Sequence, residues 1–126
     1  MNLEFIEDGP SGEALLLLYG GGPGEVASLR SALHGLSQDV GLELAVHDLP
    51  FVLTVGNCRL RAISAAKDVG VRTRSPADFE WTLDQESWLQ VDDLLEPFCR
   101  ETKEVRFQFL NPGRGTRIIY STTRAW

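Results

Sequence analysis

Apolar residues in the first half of the chain are spaced in patterns that predict strands and one helix. Residues 13–19 contain a continuous apolar run bounded by glycines, which is typical of a buried strand. Steps of three and four residues then predict an amphipathic helix, with apolar positions Val26, Leu29, Leu33 and Leu36. Further strands are predicted at residues 42–47, 49–55, 58–62 and 71–74. A type II′ turn at Gly56-Asn57 would join the second and third of these strands.

The second half of the chain predicts a strand, a helix and a terminal hairpin. Residues 79–83 alternate between apolar and polar side chains, which is the period of a strand. Asp84 is placed to cap a helix that ends near Glu96, because the ring of Pro97 interrupts the regular hydrogen bonding. The apolar stripe of this helix consists of Trp88, Val91, Leu95 and Phe98. The predicted hairpin strands are residues 105–110 and 116–122.

This order of elements predicts an α+β fold, with a largely antiparallel sheet of about six to eight strands and two helices packed on one face. The 126 residues are enough for a single domain with a substantial core, and 43% of them are hydrophobic. The most apolar run, at residues 14–19, is far shorter than the roughly 20 residues that span a membrane. Because the N-terminal residues are acidic and unlike a signal peptide, we expect a cytoplasmic protein that does not contact a membrane.

The residue types that carry catalytic or metal chemistry are few and widely spaced. Cys58, Cys99, His34 and His47 do not have the close spacing of a structural zinc site, and two reduced thiols are the simpler interpretation. His47 and Asp48 are neighbours in a predicted strand, so they would point to opposite faces and form no catalytic dyad. We therefore predict no enzyme activity, no cofactor and no metal. Whether a distant cysteine and histidine meet depends on the fold.

The glycine-rich turn Gly22-Pro23-Gly24-Glu25-Val26-Ala27 matches the G-x-G-x-x-A pattern of dinucleotide-binding folds. A predicted helix and strand follow it, and Asp48 comes where such folds keep a ribose-binding acid. However, Pro23 lacks the N–H that a phosphate cradle uses, and Glu25 places a negative charge where the pyrophosphate would lie. The pattern therefore favours a plain strand-to-helix turn over nucleotide binding.

Acidic and basic side chains are segregated along the chain, whose net charge is −6. Residues 1–58 carry eight acidic and one basic side chain, and residues 78–104 carry nine acidic and two basic ones. The second predicted helix therefore has an acidic surface, made of Asp84, Glu86, Asp92, Asp93 and Glu96. We predict that this surface is solvated and binds a basic protein partner, because complementary charge favours such an encounter. The overall negative charge disfavours nucleic acid as a partner.

A basic block at residues 59–77 contains four arginines in two predicted strands: Arg59, Arg61, Arg72 and Arg74. If the two strands paired directly, Arg59 would lie opposite Arg74, and Arg61 opposite Arg72. Like charges directly opposed are destabilising. An acidic neighbouring strand with Glu80, a shifted register or an anion-binding face would each resolve the conflict. The arginine cluster, or the glycine-rich turn, supports an alternative function as a small-ligand or anion-binding domain.

A set of aromatic, apolar and polar positions in the second half of the chain carries a resemblance. These positions are Phe79, Trp81, Leu83, Trp88, Leu94, Leu95, Pro97, Gln108, Phe109, Leu110, Tyr120, Ser121 and Thr122. The set resembles small uncharacterised bacterial proteins, some of which are similar to the immunity proteins that neutralise toxins delivered between competing cells. The resemblance implies an inhibitor that covers a toxin's active surface and has no chemistry of its own. We therefore predict a non-enzymatic protein-binding domain, with an immunity-type inhibitor as its specific form.

Overall fold

The computed structural model describes residues 1–7, 13–100, 104–111 and 115–124. Within these ranges the chain forms nine strands and two α-helices. The strands are β1 (Asn2–Ile6), β2 (Leu15–Tyr19), β3 (Glu43–Ala45), β4 (Leu53–Val55), β5 (Arg59–Ser64), β6 (Gly70–Ser75), β7 (Asp78–Leu83), β8 (Phe107–Phe109) and β9 (Arg117–Ser121). The helices are α1 (Pro23–Gly35) and α2 (Gln85–Leu95), and short 3-10 helices cover Val46–Asp48 and Glu96–Cys99.

The strands form two mixed sheets. Sheet A has five strands in the order β4-β1-β2-β9-β8, and sheet B has four strands in the order β3-β5-β7-β6. In sheet A, β1 is antiparallel to β2 and β8 to β9, whereas β1 is parallel to β4 and β2 to β9. In sheet B, β5 and β7 are parallel, and the outer strands are antiparallel to their neighbours. The α+β class is therefore confirmed, but the strands form two mixed sheets of five and four strands and not one sheet of about six to eight.

The turn at Gly56-Asn57 explains much of this difference. Val55 ends β4 in sheet A, whereas Arg59 begins β5 in sheet B, so the turn carries the chain from one sheet to the other. The φ angles of Gly56 (68°) and Asn57 (56°) are both positive. That combination belongs to a type I′ turn and not to the predicted type II′ turn. The predicted hairpin is therefore replaced by a crossing between sheets.

One hydrophobic core joins both sheets and both helices. Trp88 of α2 packs edge-on against Trp81 of β7, with ring centroids 4.7 Å apart, and donates its Nε1–H to the Ile63 carbonyl at 3.1 Å. Phe5 of sheet A contacts Phe79 of sheet B, also with centroids 4.7 Å apart. The predicted stripe of α2 is buried as expected at Trp88, Val91, Leu95 and Phe98. The helices therefore pack on a core shared by the two sheets and do not cover one face of a single sheet.

The ends of α2 agree with the sequence prediction. The Asp84 side chain accepts a hydrogen bond from the Ser87 N–H at 2.8 Å, which satisfies one of the unpaired donors of the first turn. The regular helix ends at Leu95, and Pro97 lies in the 3-10 helix that follows. None of the helices in the described ranges is both long and apolar enough to cross a membrane.

Several strand boundaries differ from the predictions. The strand expected at residues 42–47 covers only Glu43–Ala45, after which the chain enters the 3-10 helix. The strand expected at residues 49–55 is limited to Leu53–Val55. Strand β1 was not predicted, although Leu3 is buried and pairs with Leu18 across β2. These short segments take their conformation from the sheet they join, because local propensity for a strand is weak.

Candidate functional site

Asp92 of α2 contacts α1, and its side chain is largely buried, whereas the sequence predicted that it would be solvated. The Arg30 Nε donates to Asp92 Oδ1 at 2.7 Å and to the Asp92 carbonyl at 3.1 Å. The His34 Nδ1 lies 3.2 Å from Asp92 Oδ2. The Asp92 side chain is only 15% exposed, because α1 packs against this side of α2. The prediction of a shared solvated face is therefore wrong for Asp92, whereas the neighbouring Asp93 is exposed as expected.

Two more acidic residues of the predicted surface have partners within the chain. Asp84 is occupied as the N-cap of α2. Glu96 Oε1 lies 3.2 Å from Arg100 Nη2, one helical turn further along. Exposed pairs of this kind contribute little to stability, but they compensate part of the charge. The negative charge offered by this side of the protein is therefore smaller than the sequence implies.

The remaining acidic residues of α2 flank an exposed apolar side chain. Glu86 and Asp93 are exposed, and neither forms an ion pair with any residue in the described ranges. Leu89, which is 42% exposed, lies three residues after Glu86 and four before Asp93. Residues at this spacing share one face of a helix. Glu86, Leu89 and Asp93 are called the α2 ridge below.

The four arginines of sheet B are separated by an acidic strand. Strand β7 lies between β5 and β6, so Arg61 and Arg72 are each in register with Glu80 and not with each other. Arg61 Nη1 lies 3.8 Å and Arg74 Nη1 lies 3.4 Å from the Glu80 carboxylate. The two arginine-bearing strands therefore do not pair directly, and the interpretation in which Glu80 offsets the arginines is confirmed for Arg61 and Arg74. Arg59 lies opposite Asp78 in the backbone pairing of β5 with β7, and its side chain is exposed.

The glycine-rich turn packs against other parts of the chain. Glu25 Oε2 lies 2.6 Å from the amino nitrogen of Met1, and the Tyr120 hydroxyl donates to the Gly21 carbonyl at 3.1 Å. A Cβ atom on Gly21 would come within 2.8 Å of Met1 Cε, so a larger residue there would have to displace the end of the Met1 side chain. Burial, together with the negative charge of Glu25, raises the pKa of Tyr120 to about 12. The Glu25 carboxylate at the start of α1 disfavours a bound phosphate.

A second exposed apolar surface follows the edge strand β8. Phe107 is 48% exposed and Phe109 is 41% exposed, and their rings meet edge-to-face with centroids 6.1 Å apart. The Arg117 guanidinium lies over the Phe109 ring at 5.0 Å, in the arrangement of a cation–π contact. This apolar edge is a competing location for a protein partner, and a binding test must distinguish it from the α2 ridge.

Sequence reasoning missed a cleft of about 360 Å³ where the chain passes from sheet A to sheet B. The residues that line it are His47, Asp48, Thr54, Asn57, Cys58 and Arg59. The turn at Gly56-Asn57 is visible in the sequence. That it connects two sheets, and so forms one side of the cleft, depends on the order of the strands, which the sequence does not show. The cleft brings a cysteine and a histidine from separate segments to one place.

The cysteine and histidine of the cleft are not arranged as a nucleophile and its base. The Leu60 N–H donates to His47 Nδ1 at 3.0 Å, which occupies that nitrogen. The His47 Nε2 lies 3.6 Å from Asp48 Oδ2, because both residues belong to a 3-10 helix; the prediction that they point to opposite faces is wrong. Burial, and then the charge of Asp78, raises the pKa of Cys58 to about 11, so its thiol stays protonated at neutral pH.

Neither a metal site nor a similarity to known proteins helps to assign a function to this chain. In the part of the chain that the structure describes, no group of three or more His, Cys, Asp or Glu side chains is arranged to hold a metal ion. Comparison of the chain with protein-family models, with curated proteins and with solved structures gave no match.

Proposed function

We propose that this chain is a non-enzymatic protein-binding domain whose α2 ridge recognises a basic protein partner. One observation carries the proposal: Glu86 and Asp93 are exposed and have no ion pair in the described ranges, whereas the other acidic residues of α2 are occupied. Leu89 lies between these two unpaired carboxylates and exposes 42% of its surface.

Charge and apolar area have different roles on such a ridge. The two carboxylates attract a basic surface at distances up to a Debye length of about 8 Å at physiological salt, which speeds association. Leu89 is the apolar contact, and fully burying a leucine side chain is worth about 1.5–3 kcal/mol. Because more than half of Leu89 is already covered in the folded chain, its contribution on binding is expected to be about 1 kcal/mol.

The ridge is held rigidly, which lowers the entropy lost on binding. Trp88 anchors α2 to sheet B through its contact with Trp81 and its hydrogen bond to Ile63. The Arg30–Asp92 contact fixes the opposite side of α2 against α1. A partner would therefore meet a helix face whose position is already determined.

An immunity-type inhibitor that neutralises a bacterial toxin is the specific form of the proposal. The resemblance of the second half of the chain supports it, as does a function that needs binding but no chemistry. The cytoplasm is the proposed location, because Cys58 and Cys99 are free thiols, as is usual in a reducing compartment.

The first test is affinity capture from the native cell at low salt, followed by mass spectrometry. The baits are the wild-type chain, a ridge variant with Glu86→Gln, Leu89→Ala and Asp93→Asn, and a β8 variant with Phe107→Ser. We expect a basic protein that the wild-type and β8 baits retain and the ridge variant loses. A partner that the ridge variant retains fully and the β8 variant loses would contradict the proposal and move the site to β8.

A further inference from the structure

The cleft between the two sheets is lined by one negative and one positive side chain that do not pair with each other. The Asp48 side chain is 74% exposed, and its Oδ2 lies 3.6 Å from His47 Nε2. Arg59 is exposed, and its guanidinium has no hydrogen bond or ion pair with any residue in the described ranges. Both charges are therefore available to a ligand in the same cleft of about 360 Å³.

His47 lies beside the negative side of the cleft. The His47 Nδ1 lies 3.0 Å from the Leu60 N–H and 3.1 Å from the Leu60 carbonyl, so this side of the ring is fixed against β5, and Nε2 lies on the side of Asp48. The distance of 3.6 Å between Nε2 and Asp48 Oδ2 is longer than a hydrogen bond, so the carboxylate oxygens keep their capacity to accept from a ligand. The ring itself is nearly buried, at 9% exposure, and so is a fixed wall.

Neutral polar groups complete the lining. Thr54 and Asn57 are exposed residues of the cleft, and they belong to β4 and to the turn that leaves sheet A. The buried Cys58 has a protonated thiol and adds a surface of low polarity. The volume of about 360 Å³ lies within the size range of small-molecule sites, and the mostly polar lining favours a small polar ligand.

We propose that this cleft binds a small zwitterion of the α-amino-acid type. Arg59 receives the ligand carboxylate, for which the planar guanidinium offers two parallel donors. Asp48 receives the ligand ammonium group. A simple anion would meet the negative charge of Asp48, and a simple cation would meet Arg59, so each gains from one side of the cleft and loses on the other. The site lies outside the α2 ridge and is independent of protein binding there.

The test is a titration of the ¹⁵N-labelled chain followed by NMR, with the amide signals of Asn57 and Arg59 as reporters. L-alanine is the probe, and propionate and ethylammonium are matched controls that each keep one of its two charged groups. We expect saturable shifts with L-alanine, at about tenfold lower concentration than with either control, because a charge-assisted contact is lost in each. Absence of saturable shifts up to about 50 mM L-alanine would overturn the proposal, as would equal binding of propionate.

Three substitutions assign the roles. Arg59→Gln and Asp48→Asn each remove one charge from an exposed side chain, and each is expected to weaken L-alanine binding about tenfold. Arg72→Gln is the matched control on the same sheet, because Arg72 is exposed and does not line the cleft; it should change the affinity less than about twofold. The α2 ridge variant should bind L-alanine normally. Unchanged binding by Arg59→Gln or Asp48→Asn would overturn the assignment.

Discussion

The two sides of α2 carry the same kind of side chain and use it differently. On the side that faces α1, Asp92 is bound by Arg30 and lies beside His34. On the outward side, Asp93 is exposed and has no ion pair in the described ranges. Successive helix positions are about 100° apart, so a single residue step moves a carboxylate from the contact between helices into solvent. Asp92 therefore stabilises the fold, whereas Asp93 is left for a partner.

The largest expected effect is on the inward side, at the apolar anchors of α2. Trp88→Ala should lower the free energy of unfolding by about 3–5 kcal/mol, and Leu95→Ala by about 2–5 kcal/mol, because both side chains are fully buried. Denaturant melts monitored by circular dichroism measure both. Losses below about 1 kcal/mol for both variants would remove α2 from the core and, with it, the rigid support of the ridge.

The adjacent carboxylates give the sharpest contrast. Asp92→Asn should lower the free energy of unfolding by about 1–2 kcal/mol, because it removes the charge from a short, partly buried contact with Arg30. Asp93→Asn should change the free energy of unfolding by about 0.5 kcal/mol or less. The same denaturant melts compare the two isosteric variants. Equal effects would show that the two sides of the helix do not differ in the way the structure indicates.

A double-mutant cycle tests whether Arg30 is the cause of that contrast. Arg30→Gln and Asp92→Asn should cost less together than the sum of the single changes, by about 0.5–1 kcal/mol, because each single change already breaks the contact. Arg30→Gln combined with Asp93→Asn is the matched control, and its effects should add. Additive effects in both cycles would mean that Arg30 does not distinguish the two carboxylates.

A smaller effect is expected at the start of the helix. Asp84→Ala removes the side chain that accepts from the Ser87 N–H and should lower the free energy of unfolding by about 1 kcal/mol. Asp84→Ser keeps a good capping side chain and removes the charge, so it should retain most of that stability. If both variants lost the same amount, charge and not capping would explain the role of Asp84.

The sequence allowed α2 to be predicted well because its determinants are local. The three-to-four-residue spacing from Trp88 to Leu95, the Asp84 cap and the stop near Pro97 all lie within about four helical turns. The sequence also places Asp92 and Asp93 at adjacent helix positions, which are about 100° apart. It did not show which of them faces α1, because that depends on how two helices pack.

The sheets and the cleft were harder to predict because they depend on distant pairings. The turn at Gly56-Asn57 is short enough for a hairpin, and only the pairing of β4 with β1 makes it a crossing. The insertion of β7 between β5 and β6, which places Glu80 beside the arginines, likewise reverses the order along the chain. His47 lines the cleft because it belongs to a three-residue 3-10 helix. The alternation of apolar and polar residues at 42–47 had predicted a strand there.

The association rate of the captured partner tests the central claim, that the α2 ridge is the recognition surface, most directly. Surface plasmon resonance over a salt series would compare the wild-type chain with a second ridge variant, Glu86→Gln with Asp93→Asn, which keeps Leu89. A matched control, Glu7→Gln with Glu43→Gln, removes two exposed acidic charges from parts of the chain outside α2. We predict roughly tenfold slower association of the ridge variant at low salt, with the gap narrowing as salt rises, and a much smaller change for the control. An association rate that is the same for the wild-type chain and the ridge variant at every salt concentration would contradict the claim.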